Sequence, residues 1–141
     1  MRPWYPGLQA PTLSDFRAVW TVDTRDLVPM MDATGMIHER YIHLEPIRPL
    51  AARPVSDYLA DAPYKDRFTF ATQVDNPALP RLLMFRDSFA TAMQPSLSEL
   101  FSRAVYVHTP TLDGFDPSLV RREHPSVVIQ EVVERMLSID D

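Results

Sequence analysis

Residues 79–89 read Leu79-Pro80-Arg81-Leu82-Leu83-Met84-Phe85-Arg86-Asp87-Ser88-Phe89. The apolar run 82–85 is the length of a strand, and its lack of alternation suits a strand covered on both faces. A charged pair and a serine end the run. Phe89, Met93, Leu97, Leu100 and Phe101 then recur at helical spacing. Pro95 falls inside that pattern. It lacks an N–H and its ring crowds the preceding turn, which predicts a short first turn and a helix restarting at Pro95.

The pattern continues toward the carboxyl terminus. Residues 104–108 form a second apolar run, Asp113-Gly114 marks a turn, and Asp116-Pro117 reads as an N-cap followed by Pro at the first helical position. That helix ends near His124-Pro125. Residues 127–129 open a third buried strand. Ile129, Val132, Val133, Met136 and Leu137 also fit a helical face, which leaves the start of a last helix open. From Arg81 onward the order β-α-β-α-β-α predicts an α/β domain over 66–141, with parallel pairing among the strands around Leu83, Val105 and Val128.

Signals are weaker upstream. Residues 67–72 alternate Phe68 and Phe70 with polar neighbours, as a half-buried strand does, and Asp75-Asn76-Pro77 ends it. Residues 1–65 read as an irregular Pro-rich segment with short elements: a helix over 24–33 stopped by Gly35, a strand over 40–45, and a turn of helix over 55–60.

Composition narrows the function classes. Among 141 residues, 14 Lys+Arg against 19 Asp+Glu give a net charge of −5 without a basic stripe. That disfavours nucleic acid, whose phosphates need clustered cations. The absence of cysteine removes disulfides, thiolate metal sites and a Cys nucleophile. No apolar run reaches membrane-spanning length, and the start Met1-Arg2-Pro3-Trp4-Tyr5-Pro6-Gly7 lacks the apolar core of a secretory signal.

Ser88 is the candidate for chemistry. It follows the carboxyl end of an expected parallel strand, where open α/β sheets place ligands. It also opens a helix, whose free N–H groups stabilise a developing oxyanion. Capping of the helix by Asp87 or Ser88 accounts for the same residues without catalysis.

The 79–89 block resembles the nucleophile block of the AlgX/AlgJ-type alginate O-acetyltransferase family, SGNH hydrolase-like proteins that show a DSF after a buried strand. The resemblance continues through Pro95-Ser96-Leu97 to Phe101-Ser102-Arg103, and returns over His124-Pro125-Ser126-Val127-Val128-Ile129-Gln130-Glu131-Val132-Val133-Glu134-Arg135-Met136-Leu137. It covers the C-terminal part of the family domain. The resemblance implies an SGNH/flavodoxin-like three-layer α-β-α fold with a parallel sheet, incomplete at its N-terminal side. It also implies an extracytoplasmic, periplasmic setting and O-acetyl transfer to, or ester hydrolysis on, a polysaccharide. An acyl donor and partner proteins of a membrane complex follow from it, and no cofactor or metal. Ser88 would be the nucleophile, its backbone N–H an oxyanion donor, with Asp87 and Phe89 beside it.

The family's D-x-H pair occurs nowhere in this sequence, and Arg86 stands where related blocks carry Gly. His108, ending the strand next to the serine strand, is the weak candidate base. A base absent or supplied from another chain, a longer acetyltransferase of which this is a part, and a non-catalytic carbohydrate-binding or assembly subunit are the alternatives. His38-Glu39-Arg40-Tyr41-Ile42-His43 resembles a zinc-protease HExxH with one residue too many, and its histidines diverge on a helix or a strand. Glu131, Glu134 and Arg135 are candidates for a polar cluster below the site, and helical spacing favours the plainer reading of Glu131–Arg135 as a surface pair.

Overall fold

The computed structural model describes residues 5, 8, 10–23, 28, 31–32, 35–55, 68–109 and 112–134. The chain divides into two compact units, Pro11–Pro49 and Met1–Ala10 with Leu50–Asp141. The smaller unit holds two antiparallel strands, β1 (Phe16–Asp23) and β2 (Glu39–Pro46), paired from Phe16↔Pro46 to Asp23↔Glu39. Period-two alternation separates its faces. Trp20 and Val22 share one with Ile42 and Leu44, and all four are exposed. On the other, Arg17 binds Glu45, and Thr21 Oγ1 lies 3.0 Å from His43 Nδ1. The expected strand over 40–45 is therefore present, and its partner β1 is an element the sequence reading did not assign. The helix expected over 24–33 lies mostly outside the described residues, as does the turn of helix over 55–60.

The larger unit holds β3 (Arg53–Pro54), β4 (Phe70–Gln73), β5 (Arg81–Arg86), β6 (Arg103–His108) and β7 (Val127–Gln130), in the order β3-β4-β6-β5-β7. Strand β5 pairs parallel with both β6 and β7, whereas β4 pairs antiparallel with β6 and with β3. The sheet is thus mixed: the expected parallel pairing holds for the strands around Leu83, Val105 and Val128, and the chain before Arg81 adds an antiparallel side.

A 3₁₀ helix (Ser88–Ala92) and helix α1 (Gln94–Ser98) join β5 to β6, and helix α2 (Pro117–Glu123) joins β6 to β7. The two crossovers step in opposite directions along the sheet, so right-handed connections put their helices on opposite faces. The core agrees. Leu83, Phe85, Val105 and Val107 pack with Leu119 of α2 on one face; Leu82, Met84, Ala104 and Tyr106 pack with Ala90 and Phe101 on the other. All four residues of the run 82–85 are at most 1% exposed, which explains why the run does not alternate.

The break at Pro95 is seen as expected, since the 3₁₀ helix and α1 meet at Met93. Asp116 caps α2 by accepting from Ser118 N at 2.7 Å, and His124 ends it in the left-handed region at φ 46°. Two expectations need correction. Strand β7 is not a buried strand: it lies at the sheet edge, alternates in burial, and leaves Val128 43% exposed. Residues 131–133 belong to neither helix nor strand, so Glu131 does not sit on a helix. Residues 135–141 lie outside the described residues.

Candidate active site

The carboxyl ends of the parallel strands gather the candidate residues. Strand β5 ends in Arg86, and its buried successor Asp87 turns the chain out to the exposed Ser88 and Phe89. Ser88 opens the 3₁₀ helix, so it stands at a position where the first N–H groups have no partner within the helix. Among the described residues its hydroxyl makes no hydrogen bond. The arrangement matches the one read from the sequence: strand, serine, helix.

Asp87 is the clasp of this turn. Its Oδ1 accepts from Phe89 N at 2.7 Å, capping the helix, and its Oδ2 accepts from Val133 N at 2.7 Å. Its own N–H donates to Glu131 Oε2 at 3.1 Å. Glu131 N in turn donates to Phe85 O at 2.9 Å, extending the β5–β7 ladder past the strand end. The loop after β7 is thereby tied to the serine turn through main-chain and carboxylate groups together. Burial raises the Glu131 carboxyl above its ordinary value, and the Asp87 carboxylate pushes in the same direction; the Asp87 N–H and the Arg86 charge oppose the rise.

Arg86, only 4% exposed, fills the space behind the turn. Its guanidinium donates to Phe68 O at 2.7 Å, to Asp87 O at 3.1 Å and to Thr91 Oγ1 at 3.3 Å. With the Gln94 amide oriented so that its oxygen faces the guanidinium, Arg86 Nε donates to it at 2.9 Å. A charge so enclosed is tolerated because nearly every donor is used. Arg86 thus links β5 to the segment before β4, to the turn and to α1.

His108 stands opposite Arg86 in the β5–β6 register. Its N–H donates to Thr69 Oγ1 at 3.1 Å, and its ring packs against Phe68 with centroids 5.2 Å apart. It shares the sheet end with Ser88, and no hydrogen bond joins the two side chains. His43 binds Thr21 and Glu45 within the hairpin unit. Among the described residues, no group of three or more His, Asp or Glu converges as a metal site.

Sequence reasoning found Asp87, Ser88 and Phe89 at this edge. It weighed Glu131 for a polar cluster below the site but preferred a surface pair with Arg135, and it did not anticipate the Asp87–Glu131 bond or the contacts of Thr69, Gln94 and Val133. Glu131 was legible only through register: Phe85 pairs with Gln130, and the next residues of both strands are then neighbours.

An α/β unit with a serine just past the carboxyl end of its central parallel strand is therefore the class of structure in hand. No protein-family profile matches the chain, and no curated protein matches its sequence. Solved structures share its fold. Bacillus cereus PatB1 with a sulfonyl adduct superposes with a TM-score of 0.61 at 15% identity, over 92% of this chain and 50% of that one. A second PatB1 structure gives 0.57 at 15% identity over 92% and 52%. A DHHW family protein from Eubacterium siraeum gives 0.61 at 12% identity over 89% and 50%. The chain thus spans about half the length of these proteins. No helix among the described residues is long and apolar enough to cross a membrane.

Proposed function

We propose that this chain carries the nucleophile-bearing part of an SGNH-type O-acyltransferase or ester hydrolase domain of three-layer form, of the AlgX/AlgJ kind, with Ser88 as nucleophile. One observation supports this most: an exposed serine at the helix start after β5, in a fold shared with a protein solved as a sulfonyl adduct. Sulfonyl reagents are electrophiles that capture activated side-chain nucleophiles.

In this reading Ser88 Oγ attacks an acetyl ester carbonyl as a base removes its proton. The oxyanion is met by the Ser88 N–H, since Phe89 N–H is held by Asp87, the alcohol leaves with a proton, and an acetyl-serine remains. Transfer to a polysaccharide hydroxyl or to water then frees the serine. Asp87 holds the turn rigid rather than orienting a histidine, because both of its oxygens already serve backbone N–H groups. The base comes from outside these residues or is His108. A polysaccharide substrate, an acyl donor, membrane-complex partners and an extracytoplasmic setting belong to this same proposal.

The test is hydrolysis of an activated acetyl ester by wild type, Ser88→Ala and His108→Ala, with free imidazole titrated in as a replacement base. Without imidazole, wild type is expected to match Ser88→Ala, since a serine lacking its base keeps only modest assistance from the oxyanion hole. With imidazole, a component dependent on Ser88 is expected. Identical rates for wild type and Ser88→Ala at every imidazole concentration refute the assignment. Turnover that depends on Ser88 without imidazole, and is lost in His108→Ala, makes His108 the base.

A further inference from the structure

The opposite end of the parallel strands holds a second arrangement. A cleft of about 700 Å³ is lined there by residues that include Arg81, Arg103, Arg122, Ser102, Asn76 and Glu123. Its size lies within the roughly 300–1,000 Å³ usual for small-molecule sites. Arg81 and Arg103 begin β5 and β6, and Arg122 lies in the last turn of α2, so three separate elements aim guanidinium groups at one place.

Glu123, 5% exposed, is the hub of these cations. Its Oε2 accepts from Arg103 Nε at 2.9 Å and lies 3.7 Å from Arg81 Nη2, while Oε1 lies 3.6 Å from Arg122 Nε. Only the first of these contacts has hydrogen-bond length. Arg81 Nε is buried without a hydrogen-bond partner, while the Arg81 side chain as a whole is 43% exposed to the cleft and solvent. The cleft wall is preformed. Ala78 N donates to Asn76 Oδ1 at 3.1 Å, and Leu79 N to Asn76 O at 3.2 Å, fixing the 74–79 turn. Asn76 itself lines the cleft, with its side-chain oxygen engaged in the turn. Asp75 also lines the cleft, so its charged lining is three cations against two carboxylates, in a chain of net charge −5.

We propose that this cleft is a binding site for a small ligand bearing a carboxylate or phosphate group, held by Arg81 and Arg122 in the manner of a forked guanidinium–oxyanion pair. Arg103 stays on Glu123 and keeps the site in shape. The site is separate from Ser88, lying at the amino ends of the strands whose carboxyl ends carry the serine.

The experiment is calorimetric titration of the full chain at low salt with inorganic phosphate, with glucuronate, and with glucose as the neutral counterpart of the latter. Saturable one-site binding of phosphate or glucuronate is expected, weakened at least about tenfold in Arg81→Gln and in Arg122→Gln and falling with added salt. The two anions distinguish which oxyanion the site prefers. The Arg122 side chain is 38% exposed, so that variant keeps the fold, which circular dichroism verifies. Binding of neither anion above glucose overturns the proposal. So does anion binding that both variants retain.

Discussion

The two ends of the three parallel strands differ in how they hold charge. At the carboxyl ends, Asp87 is satisfied by main-chain N–H groups and Arg86 largely by carbonyl and side-chain oxygens, all within a tight turn. At the amino ends, Arg81, Arg103 and Arg122 meet Glu123 through side chains alone, and the sheet opens into a cleft. The first pattern fixes a backbone geometry; the second collects a field. A nucleophile needs the former, because its position must be held to a fraction of an ångström, and an anion site is served by the latter.

The comparison breaks most visibly at Arg86. Arg86→Ala leaves Phe68 O, Asp87 O and Gln94 without their buried donor, and a loss of about 3 kcal/mol or more in urea unfolding is expected. A loss below about 1 kcal/mol would show that the carboxyl end is not the rigid one.

A smaller effect sharpens the comparison through pH. The folded-state pKa of Glu131 is raised, so its contribution to stability is fully present below the ordinary carboxylate value and is lost as pH rises through the raised one. Asp15 and Glu45 in the hairpin unit act in reverse. Their pKa values are lowered, chiefly by hydrogen bonds from Thr12 and from Arg17, and their contributions are lost as pH falls through the lowered values. Unfolding measured across the carboxylate range should therefore show Glu131→Gln losing less stability than wild type as pH rises. Parallel curves for the two proteins would remove Glu131 from the turn's energetics.

What was legible in the sequence follows from how local each signal is. The run 82–85, the break at Pro95 and the Asp116-Pro117 start are written in adjacent residues, and each is found in place. Strand β1 carried a signal too, for Phe16, Ala18, Trp20 and Val22 alternate with their neighbours, yet its partner lies beyond a long connection. Strand β7 was read as buried because three apolar residues in a row fit a covered strand. Whether a strand is central or at an edge depends on sheet order, which those residues do not encode. Glu131 shows the same limit at the candidate site: its spacing to Arg135 is local, whereas its bond to Asp87 spans 44 positions and exists only once β5 and β7 pair.

Ser88 is proposed as the nucleophile of this fold. The most direct measurement is reaction of the intact chain with a small sulfonyl fluoride at mildly alkaline pH, where solvent base substitutes for a missing partner, followed by peptide mass mapping. Modification of Ser88 ahead of every other serine and tyrosine is expected, and none at that peptide in Ser88→Ala. Adducts spread over exposed tyrosines and other serines, with Ser88 unmodified, would contradict the assignment.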